Sequence, residues 1–382
     1  MPTSADAVII GGGVIGASVA YHLARRGMRR VIVLERDTLG SGSSSKNAGG
    51  VRLQFSTEIN VRLSQRSIPK LEAFADDMGV DPQLHQVGYL FLITEERDVP
   101  PFERSLELWA RLGVPARRLT ASEAGALVPS LVVDDVRFAT ICMKDGYVDP
   151  SSMLRGYIAR ARELGVVFRE TAPVTAIERS YGRITAVRSD GEGIACERAI
   201  VAAGPWSRQV GALAGVELAI DPLRRHIFIT EAAPGLPAEF PLTVEFATGL
   251  YLHRESGGVL LGMADPDDRP GSFDDSVNWD FLPRVVERAL ARVPALERTS
   301  IRTAWAGLYE DTPDKHPIVG AIDGIDGLFC AAGFSGHGVM HAPAVGELLA
   351  ELIVDGHTSL DLRPLRHSRF AEGDLQFEHN VI

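Results

Sequence analysis

The chain has 382 residues, long enough for two or three domains around a large apolar core. An apolar fraction of 45% with 23% charged residues excludes wholesale disorder. The 39 basic residues against 50 acidic ones leave a net charge of −11, which argues against nucleic acid or an anionic membrane as partner. Acidic small molecules stay open, because a few basic groups can gather in one pocket. Cys142, Cys196 and Cys330 are widely spaced, without CxxC or a histidine at ligand spacing. Reduced, buried thiols in a cytoplasmic protein are therefore expected, rather than a disulfide frame or a metal site. No basic segment precedes the first apolar run, so no signal peptide is expected. That run carries glycines, Ser18 and His22 and falls short of a membrane span.

Ala7-Val8-Ile9-Ile10 reads as a parallel strand buried on both faces. It leads into Gly11-Gly12-Gly13-Val14-Ile15-Gly16, which satisfies GxGxxG through Gly11, Gly13 and Gly16. A helix follows, with Ile15, Val19 and Leu23 on one face and Gly27 just past its end. A second buried strand, Val31-Ile32-Val33-Leu34, stops at Glu35. Gly11 permits the tight turn, Gly13 lets a pyrophosphate approach the backbone, and Gly16 allows close helix–strand packing. The helix N-terminus offers unpaired N–H groups to phosphates, and Glu35 can accept from ribose hydroxyls while repelling a 2′-phosphate. Strand, glycines, helix, strand and acid in register indicate a dinucleotide site. They do not separate NAD from FAD.

Three later segments favour FAD. The loop Gly40 to Gly50 includes Ser43, Ser44, Ser45, Asn47, Ala48, Gly49 and Gly50, small and hydroxyl-rich, suited to backbone contact along a longer cofactor. Ala199-Ile200-Val201-Ala202-Ala203-Gly204-Pro205-Trp206 reads as a strand returning to the dinucleotide sheet. Upstream of it, residues 174–178 and 184–188 alternate like a hairpin around Tyr181-Gly182. Leu328-Phe329-Cys330-Ala331-Ala332 runs into Gly333-Phe334-Ser335-Gly336-His337-Gly338, and a helix is expected over 342–354 with Pro343 in its first turn. That helix would direct its positive end at the flavin edge where negative charge appears on reduction.

The fingerprint, Trp305-Ala306-Gly307-Leu308-Tyr309 with Thr312-Pro313-Asp314, and the 333–338 loop followed by Met340-His341-Ala342-Pro343-Ala344 carry a resemblance. Together they resemble the D-amino-acid-oxidase-like family of FAD amine oxidoreductases, above all its sarcosine-oxidase and proline-dehydrogenase β-subunit branch. The likeness extends over essentially the whole chain. It implies an α/β fold: a Rossmann-type FAD-binding domain with an interleaved α+β substrate domain on a mixed, mostly antiparallel sheet. The FAD-binding domain is expected over 1–85, 146–220 and 309–382, and the substrate domain over 86–145 and 221–308. Expected substrate-domain strands include 87–93, 225–230, and 250–254 paired with 259–262. The cofactor residues so implied are those named in the loops above, with Val14, Ile15, Arg36, Val174, Val339 and Met340.

The resemblance further implies oxidation of the C–N bond of a small secondary amino acid, sarcosine- or proline-like. A hydride passes to flavin N5 and leaves an imine. Arg52 matches a carboxylate-binding arginine of the monomeric sarcosine oxidases, and its guanidinium offers a bidentate fork; a surface or pyrophosphate role is the alternative. Tyr251 and Tyr309 are candidates for contacts over the flavin, or simply core. His337 is placed near the flavin edge and His341 toward the substrate, with helix capping as the plain alternative. The family's cysteine tether corresponds to Gly307, its oxygen-activating lysine to Leu260, and a second carboxylate-binding lysine to Met340. These departures favour non-covalent FAD and a dehydrogenase or slow oxidase, using O2 or another electron acceptor. Glycine oxidase or D-amino-acid dehydrogenase is the alternative, although Tyr309 stands where those enzymes carry an arginine. A non-catalytic flavin-binding subunit or assembly factor, an NAD-dependent enzyme, and membership of a hetero-oligomer stay open.

Overall fold

The computed structural model describes residues 3–382. Short apolar runs with no polar alternation become strands covered on both faces. Four of them stack in parallel in the order Leu328–Ala332, Ala199–Val201, Ala7–Ile10, Val31–Leu34; the more exposed Val167–Arg169 extends the parallel series beyond Val31–Leu34, and Ile318–Ala321 adds an antiparallel edge. Register brings their carboxyl ends together: Ile10 pairs with Leu34 and Val201, and Val201 pairs with Cys330. Three glycine turns, at 11–13, 203–204 and 333–336, therefore gather on one edge, where open α/β sheets bind ligands.

Helix Val14–Arg25 packs against Gly338–Asp355 closely enough that a Cβ on Gly346 would come within 2.2 Å of the Ser18 hydroxyl. The Ser18 hydroxyl also donates to the Ala342 carbonyl at 2.7 Å. The second helix begins at Gly338, four residues before the expected start, so Pro343 lies inside it rather than in its first turn. Proline there forfeits one backbone hydrogen bond, which burial of Met340, Ala342, Ala344 and Val345 outweighs. Gly27, at φ 93°, follows the end of Val14–Arg25 as expected.

An eight-stranded sheet stands beside this unit, in the order Ile301–Asp311, Asp221–Thr230, Gly258–Met263, Leu250–Glu255, Leu242–Glu245, Tyr89–Ile93, Phe138–Cys142, Ala116–Leu119. All its pairings are antiparallel except Leu242–Glu245 with Tyr89–Ile93. Period-two alternation sends Tyr89, Phe91, Ile227, Ile229 and Tyr251 to the main core, and Leu90, Leu92, Phe228 and Leu252 to a second core behind the sheet. Strand Ile301–Asp311 runs through the division expected at 308/309. A small four-stranded sheet contains the expected hairpin, with Tyr181 and Gly182 both at positive φ. Its strands Ser4–Ala5 and Glu192–Cys196 carry no periodic signal in the sequence. Among the described residues the three cysteines are free and buried, no side-chain cluster suits a metal ion, and no helix is long and apolar enough to cross a membrane.

Candidate active site

The edge where the glycine turns gather opens into a cleft of about 780 Å³. Sterics fix its floor. Gly11 has φ 118°, and a Cβ there would lie 2.2 Å from the Ala202 carbonyl oxygen. One on Gly16 would lie 2.0 Å from the Gly11 carbonyl oxygen. Glu35 accepts from the Gly12 amide at 2.7 Å and the Asp37 amide at 3.0 Å, tying the second strand to the glycine turn. The Ser44 hydroxyl accepts from the Val14 amide at 2.9 Å, holding the serine loop over the helix N-terminus. At the outer end, the Arg36 guanidinium lies 3.8 Å from the Trp206 ring centroid, and Phe273 stacks on that ring with centroids 5.7 Å apart.

Of the residues expected to touch the cofactor, Gly11, Gly13, Val14, Ile15, Glu35, Arg36, Ser43, Ser44, Asn47, Val174, Ala203, Gly204, Trp206, Gly336, Gly338 and Val339 line this cleft. Ala48, Gly49, Gly50, Gly307, Ser335, His337 and Met340 line a smaller cavity next to it. Gly16, Ser45 and Gly333 line neither. Gly16 serves helix–strand packing, the Ser45 hydroxyl turns back to the Gly42 carbonyl, and the Gly333 amide donates to Glu310 at 2.9 Å.

The cleft fits a flavin dinucleotide in kind as well as size. It combines two helix N-termini, at Val14 and Gly338, with hydroxyl donors and the Glu35 carboxylate, and it continues into the second cavity through Ser43, Asn47, Leu308, Tyr309, Gly336 and Val339. No cysteine lines either space.

The second cavity measures about 80 Å³. Arg52, Tyr251, Tyr309 and His337 all reach it; His341 does not. Arg52 is 3% exposed, its guanidinium 4.0 Å from the Phe55 ring centroid, donating to the Gln54 carbonyl at 2.9 Å and to the Asn380 carbonyl. The two residues after it are held by buried Asp145, which accepts from the Leu53 amide at 2.8 Å and the Gln54 amide side chain at 3.1 Å. Tyr251 fits because its cross-strand partner is Gly262, where any Cβ would lie 2.0 Å from the phenol ring. Tyr309 lies against Gly336 in the same way. Burial pushes both phenols above their ordinary value, so they serve as neutral donors and acceptors.

His337 is fully enclosed, with neither ring nitrogen hydrogen-bonded, and burial holds it well below its usual value. It is neutral at physiological pH and free to turn a donor or acceptor into the cavity. His341 stands behind it, 5.1 Å between ring centroids, and its Nε2 meets the Ser64 hydroxyl at 3.0 Å. Burial brings its value down to about 3. The early start of helix Gly338–Asp355 turns position 341 to the side facing Glu58–Glu72, away from the substrate side expected from the sequence.

Four features had no sequence signal that singled them out. Arg225 reaches the second cavity on the same sheet face as Ile227, which strand alternation allows but does not aim. Residues 380–382 come back from the far end of the chain: Asn380 meets Arg52, and Val381 and Ile382 line the cavity. Glu378, fully enclosed, secures that segment through Ser56, Thr57 and Asn60. Phe273 belongs to an irregular loop.

The fourth, Glu310, opens onto the cleft and is otherwise enclosed by protein. That enclosure pushes its carboxyl up to about 7 despite hydrogen bonds from the Gly333 and Phe334 amides. The folded state therefore keeps a proton the unfolded chain would release, and this contribution to stability declines as pH rises from 4.5 to about 7. Ionised Glu310 would also repel a pyrophosphate. The dissociation constant for FAD should rise several-fold as pH passes from about 6 to 8, and Glu310→Gln should flatten that dependence. Equilibrium dialysis across this range, showing equal slopes for both proteins, would discard the assignment.

The chain matches the family described as FAD dependent oxidoreductase (DAO) over residues 6–352, and it belongs to that family. It is an FAD-dependent oxidoreductase. It is 32% identical to FAD-dependent oxidoreductase domain-containing protein 1 of Bos taurus, over 100% of this chain and 88% of the relative. Glycine oxidase of Geobacillus kaustophilus is 31% identical over 95% of this chain and 97% of its own length. The fold superposes on the crystal structure of L-proline dehydrogenase from P. horikoshii with a TM-score of 0.92 and 32% identity, covering 98% of this chain and 100% of the other.

Proposed function

We propose that this enzyme oxidises the C–N bond of a small secondary amine bearing a carboxylate, with FAD held non-covalently. One observation carries the reading: beside the cofactor cleft lies a small cavity lined by Arg52 and Arg225 and by no acidic side chain. L-proline dehydrogenase, the name of a similar protein, acts on a secondary amine with a carboxylate and supports this reading; glycine oxidase supports C–N oxidation beside a carboxylate but not the secondary amine. Bound FAD supplies the acceptor for the hydride that leaves the substrate carbon, while the amine loses its N–H proton and becomes an imine. The protein binds and orients the substrate. Arg52 takes the carboxylate; Tyr251 and Tyr309 offer hydroxyls to the amine; neutral His337 tolerates an uncharged amine beside it and contributes a hydrogen bond. The FAD unit comprises 1–85, 146–220 and 309–382, and the substrate unit 86–145 and 221–308. Leu260 and Met340, at the places where the resemblance to monomeric sarcosine oxidases implies lysines, favour a dehydrogenase or slow oxidase in this reading.

The test is to mix the oxidised holoenzyme anaerobically with sarcosine, L-proline, glycine and D-alanine and follow flavin bleaching. Reduction by sarcosine or proline is expected. Silence with every amine would leave a non-catalytic flavin subunit as the better account. Reoxidation by O2 compared with an artificial acceptor then separates oxidase from dehydrogenase.

A further inference from the structure

The substrate cavity holds more positive charge than one carboxylate neutralises. Arg52 and Arg225 both line it, and Lys46 at its rim already pairs with Asp275. No Asp or Glu side chain faces the cavity, and among the described residues no carboxylate lies within 4.0 Å of either guanidinium. Arg225 donates from Nη1 to the Arg224 carbonyl at 3.0 Å, while its Nε is buried without a partner. The two guanidinium groups lie over aromatic rings, Arg225 at 4.9 Å from the Tyr309 centroid and Arg52 at 4.0 Å from that of Phe55.

Ring faces and neutral carbonyls hold a cation in place without cancelling its charge. Two such cations in an enclosed space repel one another and are poorly solvated, and a ligand with two negative groups would offset both. A lone carboxylate on Arg52 would leave Arg225 uncompensated. The cavity is small, about 80 Å³, so both negative groups must belong to one short skeleton.

We propose that Arg225 forms a second anion subsite, and that the preferred substrates are small secondary amines with two carboxylates, one held by Arg52 and the other by Arg225. Iminodiacetate and N-methylaspartate represent the class. The proposal rests on the reading of this cavity as the place where a carboxylated amine is oxidised. The redox step is unchanged: one C–H bond breaks, its hydride goes to bound FAD, the nitrogen loses its proton and C=N forms.

The experiment compares kcat/KM for anaerobic flavin reduction by iminodiacetate and N-methylaspartate with that by sarcosine and proline. The wild-type holoenzyme should favour the dicarboxylates by about tenfold or more, and Arg225→Gln should lower that ratio by about tenfold or more, mainly through KM. Arg225→Lys, which keeps the charge, should restore part of the preference. A monocarboxylate preference in the wild type, or a ratio unchanged by Arg225→Gln, overturns the subsite. Failure of every amine to reduce the flavin would count against oxidation itself, and a binding measurement then judges the subsite alone. Malonate and acetate are titrated against the flavin spectrum: tighter malonate binding that Arg225→Gln abolishes upholds the two-cation site, and equal affinities overturn it.

Discussion

Replacing Arg52 with alanine is expected to raise KM for the amine substrate sharply while FAD stays bound. Arg52 is enclosed, and its guanidinium meets the carbonyls of Gln54 and Asn380 and the rings of Phe55, Tyr89 and Phe91. A carboxylate entering this space would form a charge pair removed from water. Losing one partner of such a pair costs about 2–4 kcal/mol, or roughly 30- to 700-fold in affinity. Arg52→Lys keeps a point charge without the fork, so it should recover only part of that loss. Because Arg52 also touches Asn380, retained flavin absorbance and an unchanged unfolding midpoint must accompany the rise in KM. A KM equal to wild type would remove Arg52 from substrate binding.

The largest stability effect is expected away from the cavity, at Arg369. Its side chain is 0% exposed and pairs with Asp314, 1% exposed, through contacts of 2.8 and 3.0 Å. It also donates to the carbonyls of Leu365, Arg366 and His316, so all of its nitrogens are engaged. Arg369→Ala would leave Asp314 enclosed with only the Thr312 hydroxyl and the His316 amide as donors. Breaking a buried pair in this way costs about 3–5 kcal/mol. For a chain of 382 residues the unfolding midpoint should fall by about 4–6 °C. An Arg369→Met, Asp314→Leu double variant removes both charges and should regain most of the loss, since a buried pair is often replaceable by apolar side chains. A single variant within about 2 °C of wild type, measured by calorimetry, would contradict this account.

These two arginines illustrate different kinds of legibility. Arg52 follows a glycine-rich loop that is recognisable as a loop, and its carboxylate role came from a family likeness rather than from spacing. Thr312-Pro313-Asp314 carried the same likeness, yet nothing in the triplet indicates that Asp314 meets a partner 55 residues later. His341 shows the limit of helix phase: a four-residue shift in where the helix begins turned it from the expected substrate side to Ser64.

The dinucleotide unit was written in the sequence by itself, because its grammar is local. Strand, three glycines, helix, strand and acid fall within residues 7–35, and Gly11 and Gly16 answer close backbone approaches that a side chain would block. Four of the eight strands of the mostly antiparallel sheet were legible from apolar runs and turn residues, whereas Ala116–Leu119, Phe138–Cys142, Leu242–Glu245 and Ile301–Asp311 were not. What only the tertiary structure decided is which of those faces share a space. Alternation says that Arg225 and Ile227 point the same way, and not that they point at Arg52, which lies far away in the chain. The segment 378–382 has no period, and its place against Arg52 depends on a buried glutamate accepting from three residues near position 56. Periodicity encodes orientation along one element, whereas a binding cavity is a meeting of elements, and only packing in three dimensions brings its charges together.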